Sequence, residues 1–229
     1  MTNKQKYKVL VVDDEPDIVE LLKYNLAKED FDVKTALNGI KAVEIAKKFH
    51  PDLVLLDIMM PKQDGVETCR QLREIPDLSS SYIIFLTARS EEYSEIAAFE
   101  SGADDYIVKP IKPRALMSRI QALFRRDSKK KKDNNKVKVG NLTIDRSSYT
   151  VFVDDKPVSL PKKEFELLFF LAQSPNKVFN RDDLLQNIWG SDVYVLSRTV
   201  DVHIRKVREK IGDGYITTVK GVGYKFEAE

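Results

Sequence analysis

Tyr7-Lys-Val-Leu-Val-Val-Asp-Asp-Glu15 carries a short β-rich run straight into three acids, and the way this pattern recurs decides the fold of the first half of the chain. Similar runs follow at residues 31–36, 53–56, 82–86 and 106–108. Between them, residues 17–29, 39–49, 66–75, 91–101 and 113–124 place apolar side chains at helical spacing. Alternation of strand and helix predicts a parallel sheet with helices on both faces. Local punctuation agrees: Ser90 can cap the fourth helical stretch, with Glu91 and Glu92 in its first turn, and Pro113 suits the first turn of the fifth.

Asp13 and Asp14 follow the first strand, Asp57 the third, Thr87 the fourth and Lys109 the fifth. In an open α/β sheet the carboxyl ends of the strands share one edge, where ligands bind beside the switch in strand order. Three carboxylates, a hydroxyl and an ammonium therefore converge on one crevice. Packed carboxylates repel unless a cation joins them, and an all-oxygen set suits Mg²⁺. Such a group can perform phosphoryl transfer, with one carboxylate attacking and the ammonium offsetting developing charge.

The second half has a different grammar. Residues 126–136 are charged, include Lys129 to Lys132 and lack periodicity, so they read as a flexible linker. Beyond it come β-like stretches at 138–144 and 150–153 with a turn at Asp154 and Asp155. Three helices follow at 162–172, 181–188 and 198–211, then a hairpin over 215–226. Helices closed by a β-ribbon predict a winged helix-turn-helix. On the third helix Val200, Ile204, Val207 and Ile211 form an apolar stripe, while Arg198, Val202, His203, Arg205, Lys206 and Arg208 lie mostly off it. The ribbon tip, Thr217-Thr-Val-Lys-Gly-Val-Gly-Tyr-Lys225, is cationic and flanked by glycines that permit close approach to a groove. Its Gly-x-Gly is no dinucleotide site, because no helix follows.

Composition sets the frame. The 229 residues are 42% apolar and 32% charged, with net charge +2, enough for two globular cores. Lys+Arg against Asp+Glu stand at 19 to 21 over residues 1–126 and at 19 to 15 over 127–229, so the second half is the basic one. No apolar run approaches the roughly 20 residues a membrane helix needs, and a cytoplasmic protein with no membrane partner is expected. The lone Cys69 has no metal-ligand or disulfide partner and reads as structural.

Val11-Val-Asp-Asp-Glu15, Leu55-Leu-Asp-Ile-Met-Met-Pro61, Asp64-Gly65, Leu86-Thr-Ala88 and Gly102-Ala-Asp-Asp-Tyr-Ile-Val-Lys-Pro110 resemble the receiver domains of two-component response regulators. The resemblance implies a flavodoxin-like, five-stranded, doubly wound fold over residues 1–125, in which Asp57 accepts phosphate from a sensor histidine kinase. It also implies that Asp14, Asp57 and the Met59 carbonyl ligate Mg²⁺, that Asp13 acts mainly through water, and that a cis peptide before Pro110 orients Lys109. Thr87 would bond the phosphoryl group and Lys109 would pair with it. Tyr106, by itself either a core aromatic or a switch, would swing inward as Thr87 moves. Met59 offers no group to align an attacking water, so self-dephosphorylation is expected to be slow. No other enzyme activity is expected.

Arg198-Thr-Val-Asp-Val-His-Ile-Arg-Lys-Val-Arg208 and the ribbon resemble the OmpR/PhoB-type output domain over residues 137–227, within a second domain expected over 137–229. The resemblance implies a helix from Ser197 in the major groove of double-stranded promoter DNA. Arg198, Thr199, Val202, His203, Arg205, Lys206 and Arg208 are its candidate contacts, with Thr218, Lys220 and Tyr224 on the wing. Trp189 either supports a DNA backbone contact or anchors its own loop, and His203 is either a groove contact or a surface residue. Lys206 and Lys220 stand where arginine is common and lack its planar fork. The loop from Gly190 to Leu196 is a candidate contact for RNA polymerase. The family also implies homodimerisation on phosphorylation, through Asp104, Asp105, Arg119 and Arg126. Glu95 and Ala115 depart from the usual basic and acidic pair. Two other readings remain open on sequence: an aspartyl-phosphate hydrolase, and a DNA-binding regulator whose receiver is a phosphate-independent dimerisation scaffold.

Overall fold

The computed structural model describes residues 6–88, 100–129, 135–190 and 198–227, and of 126–129 the backbone alone. The expected helix at 91–101, up to residue 99, its Ser90 cap, Glu95, the loop residues 191–196 and the helix start at Ser197 lie outside the described residues. The chain divides into two compact units, Met1–Phe124 and Arg125–Glu229.

In the first unit, β1 (Lys8–Val12), β2 (Asp32–Ala36), β3 (Leu53–Asp57), β4 (Tyr82–Thr87) and β5 (Asp105–Val108) form a parallel sheet in the order β2-β1-β3-β4-β5. The crossovers include α1 (Pro16–Lys28), α2 (Gly39–Phe49) and α3 (Gly65–Arg73), and α4 (Pro113–Lys129) follows β5. The chain reverses its direction of strand addition between β1 and β3, so the switch point lies where Asp13 and Asp57 emerge. Every residue of β3 and β4 is buried, as strands covered on both faces require. Val9, Val11, Leu53, Leu55, Ile84 and Leu86 share a core with Leu22 and Leu26 of α1 and with Leu116, Met117, Ile120 and Phe124 of α4.

The expected linker is shorter than its composition suggests. Helix α4 continues to Lys129, and a strand begins at Lys136, so both ends of the 126–136 stretch belong to elements. Phe124 is fixed in an aromatic cluster, its ring centroid 3.9 Å from Tyr7 and 5.8 Å from Phe31. From that anchor Arg125 to Lys129 contain no Gly or Pro to stop the helix, and propagating an existing helix costs far less than nucleating one.

The second unit opens with an antiparallel sheet, β6 (Lys136–Val139), β7 (Leu142–Asp145), β8 (Thr150–Val153) and β9 (Lys156–Val158), in sequential order. The single stretch expected at 138–144 is a hairpin broken at Gly140, whose φ of 53° suits glycine. Asp154 and Asp155 turn with φ of 51° and 60°, the double positive φ of a tight hairpin. Helices α5 (Lys162–Ala172), α6 (Arg181–Ile188) and α7 (Arg198–Ile211) follow, with β10 (Phe179–Asn180) ahead of α6. Strands β11 (Ile216–Val219) and β12 (Gly223–Phe226) close the fold, and β12 sits between β10 and β11. Arg146 ties the antiparallel sheet to α5 through a 2.6 Å ion pair with buried Glu166. No helix among the described residues is long and apolar enough to cross a membrane.

Candidate acidic site and nucleic-acid interface

The strand ends place the acids where the alternation of elements requires. Asp13 and Asp57 are buried and Asp14 is exposed, and ligand oxygens of all three lie within 4.8 Å of one another. Lys109, directly after β5, sets its Nζ 2.8 Å from Asp13 Oδ2, 2.9 Å from Asp57 Oδ1 and 3.5 Å from Glu15 Oε1. The other Asp57 oxygen accepts the Met59 N–H at 2.9 Å. Burial pushes the Asp57 carboxyl above the ordinary carboxylate range, against the hydrogen bond and charge of Lys109, while the Asp13 charge adds to the rise. Burial disfavours the Lys109 ammonium, but its bonds to Asp13 and Asp57 outweigh this and raise it above the lysine range.

The loop after Asp57 is built to keep that carboxylate in place. A side chain at Gly65 would meet the Asp57 carbonyl oxygen at 2.2 Å, so only glycine lets α3 start so close to the site. Asp64 caps that helix by accepting the Glu67 N–H at 2.8 Å. Thr87 ends β4 buried, and its carbonyl accepts the Lys109 N–H at 2.7 Å. The Lys109–Pro110 peptide is cis. Tyr106 is 7% exposed, turned into the protein, whereas Met59 is 68% exposed beside Asp57. Glu15, part of the acidic motif but given no role from sequence, joins the lysine's surroundings.

This donor set fits a divalent cation. Three carboxylates with ligand oxygens within 4.8 Å of one another face the Lys109 ammonium, 2.8 Å from Asp13 and 2.9 Å from Asp57, and the negative charge left over is what a cation offsets. All the candidate side-chain ligands are oxygens, which suits Mg²⁺.

The residues expected at a dimer interface are differently placed. Asp104 is 1% exposed; its Oδ2 accepts from Arg73 Nη2 at 2.6 Å and from the Ile83 N–H at 2.8 Å. It is an internal strut, which corrects its assignment to a cross-subunit pair. Asp105 pairs with Arg119 within the chain at 2.7 Å. Ala115 is exposed, and the Arg126 side chain lies outside the described residues.

On α7 the stripe Val200, Ile204, Val207 and Ile211 is buried as its spacing demands. Three expected DNA contacts are buried with it: the placement of His203 and Thr199 in the groove is corrected, and of the two readings of Trp189 the backbone contact is set aside. His203 is 0% exposed, its ring centroid 5.0 Å from that of Trp189, which is 1% exposed; Thr199 is 3% exposed. Lys163 packs its ammonium 5.5 Å from the Trp189 ring centre and donates to Ile188 O. Trp189 is thus a core residue at the end of α6. His203 lies three residues after Val200 and four before Val207, so helical spacing alone puts it on the stripe. Its polarity hid that.

Arg198 and Arg205 are exposed, while Val202, Lys206 and Arg208 are half-buried; burial lowers the Lys206 ammonium below the lysine range. Arg205 also pairs with Glu209 at 3.1 Å. Arg208 donates to Ile216 O at 2.7 Å and to Thr218 Oγ1 at 2.9 Å. Tyr224, expected as a wing contact to DNA, is 5% exposed with its hydroxyl 2.7 Å from Asp201, so its placement at the surface is corrected as well. Thr218 and Lys220 are exposed on the wing.

Residues 9–121 match the response regulator receiver domain family, and residues 155–226 match the family described as transcriptional regulatory protein, C terminal. The transcriptional regulatory protein ResD of Bacillus subtilis strain 168 is 42% identical over 239 residues, covering 99% of this chain and 98% of its own. SrrA of Staphylococcus aureus strain NCTC 8325 / PS 47 is 41% identical over 233 residues, covering 96% and 95%. Among solved structures, a RitR mutant is 28% identical with a TM-score of 0.80 over 97% of this chain and all of its own. The response regulator DrrB, described as a Thermotoga maritima OmpR/PhoB homolog, is 36% identical with a TM-score of 0.52 over 98% of this chain and all of its own. A receiver joined to a DNA-binding winged helix defines a two-component response regulator that regulates transcription. The chain belongs to the OmpR/PhoB type of that family.

Proposed function

We propose that Asp57 accepts a phosphoryl group from a sensor histidine kinase, and that the resulting acyl phosphate pairs two receivers and tightens binding of the winged domains to promoter DNA in the cytoplasm. The observation that carries this is the Asp13, Asp57 and Lys109 cluster at the switch point of the sheet. An Asp57 carboxylate oxygen attacks phosphorus, the bond to the kinase imidazole breaks, and the imidazole leaves with the bonding pair. Lys109 stays beside the added charge, and the Thr87 hydroxyl donates to a phosphoryl oxygen. Asp13, Asp14, Asp57 and the Met59 carbonyl would hold Mg²⁺, which supplies neutralisation of the phosphoryl oxygens when bound.

Tyr106 is the aromatic that follows the movement of Thr87. Exposed Met59 aligns no water, so the acyl phosphate is long-lived and Met59→Asn shortens its life; no reaction on outside substrates is assigned. Asp105, Arg119 and Arg126 remain candidates for pairing two receivers, with Asp105 and Arg119 exchanging their internal bond for one across the dimer. Arg198, Val202, Arg205 and Lys206 face the major groove, and Thr218 and Lys220 approach the neighbouring minor groove. The loop from Gly190 to Leu196 is the candidate RNA polymerase contact.

The test is gel-filtration mass and affinity for DNA enriched from a random pool, for wild type and Asp57→Ala, with Mg²⁺ and beryllofluoride. Wild type is expected to dimerise and bind at least about tenfold tighter, through linkage of two modest sites, and Asp57→Ala to do neither. Equal behaviour of the two proteins supports the phosphate-independent scaffold instead.

A further inference from the structure

The wing of this chain is held to its recognition helix by a network of side chains, most of which sequence alone places at the DNA. Asp201, in the first turn of α7, accepts at Oδ1 from Arg181 Nε and from the Tyr224 hydroxyl, each at 2.7 Å. Arg181 opens α6; its Nη2 lies 3.3 Å from the Tyr224 oxygen and its guanidinium 5.1 Å from that ring's centre. Arg208, further along α7, lies 5.8 Å from the same ring centre and bonds Ile216 and Thr218 on β11. Thr218 faces Tyr224 across the β11–β12 ladder. The backbone adds a second fixing point: a side chain at Gly223 would meet the Phe179 carbonyl oxygen at 2.0 Å, so β12 is pressed against the short strand that leads into α6.

Bonds to an ionised carboxylate are the strong ones, and a two-stranded ribbon has little rigidity of its own. The angle between α7 and the wing is therefore set largely where Asp201, Arg181, Arg208 and Tyr224 meet. We propose that Tyr224 and Asp201 are positioning residues, which hold the wing so that Lys220 at its tip reaches DNA while α7 occupies the major groove. This rests on the DNA-binding reading of α7 and the wing. Fixing the wing beforehand removes an ordering cost that binding would otherwise bear. Tyr224 acts through Lys220 and need not touch DNA itself.

A double-mutant cycle in the full chain tests this, with DNA enriched by the wild type from a random pool as the probe and every affinity measured well below each variant's melting temperature. Lys220→Ala is expected to weaken binding about tenfold and Tyr224→Phe about fivefold, while the double variant binds no worse than Lys220→Ala alone, since coupled sites fail to add. Asp201→Asn, which keeps an acceptor for the Tyr224 hydroxyl but loses the charge facing Arg181, is expected to show the same dependence on Lys220 and replaces Tyr224→Phe if that variant does not fold. A merely structural role lowers the melting temperature but leaves the two losses multiplying, and multiplied losses overturn the proposal. A pool in which the wild type enriches no sequence overturns the DNA-binding reading and the proposal with it. Enrichment followed by independent losses overturns the proposal alone.

Discussion

At the acidic site the functional side chains leave the ends of four strands, while on α7 they share one cylinder with the core. The first arrangement separates duties: Val9, Val11, Leu53 and Leu55 pack, and Asp13, Asp14 and Asp57 stand beyond them at the edge. The second mixes duties within a single turn, so that buried His203 is two residues from exposed Arg205. A polar residue at a strand end is almost bound to serve the edge. A polar residue on an amphipathic helix serves whichever side its angle gives it.

The sharpest way to break the contrast is at Asp104, a strand-edge acid that takes a core role. Arg73→Ala removes the guanidinium partner of a carboxylate that is 1% exposed in the intact protein. A loss of about 3–5 kcal/mol of receiver stability is expected, the usual penalty for an orphaned buried charge. Urea denaturation of the full chain, followed by receiver signals, checks it. A loss under about 1 kcal/mol would match a surface pair instead.

The helix supplies the next test. His203→Ala is expected to cost the winged unit about 2–4 kcal/mol through the cavity it opens beside Trp189, with unchanged DNA affinity per folded molecule. Arg205→Ala is expected to do the reverse, weakening DNA binding and reducing its salt dependence while leaving the melting temperature within a degree or two. Calorimetry and DNA titration on the two variants read both quantities; a DNA defect in folded His203→Ala would return that histidine to the groove.

The smallest effect comes from pH. Burial, reinforced by the Asp201 carboxylate, pushes the Tyr224 phenol up to about 12. Because the folded value lies above the ordinary one of about 10, its contribution is complete below pH 10 and is lost as pH rises through 12. That contribution is on the order of 2 kcal/mol. Alkaline denaturation of wild type and Tyr224→Phe is expected to converge over this window; parallel curves would place the phenol in water.

Much of this could be read before folding. The strand and helix rhythm, the gathering of Asp13, Asp14, Asp57 and Lys109 at one sheet edge, the stripe on α7 and the wing all follow from local periodicity and residue type. Arg181 and Asp201 are not singled out by the sequence reading, although an acid in the first turn of a helix rich in arginine and lysine is a signal. The helical start and the strand at the end of the expected linker are not legible from its charge, because the aromatic anchor at Phe124 that carries the helix on is a contact among distant segments.

By itself the sequence determined the two folds, the sheet edge that carries the acids and the helix and wing that carry the basic surface, because these depend on periodicity along the chain. Only the tertiary structure decided that Asp104 faces Arg73, that His203 packs on Trp189 and that Tyr224 bonds Asp201. Each is a polar group whose partner lies on another element. Burial of such a group depends on whether that partner arrives, which no local pattern records.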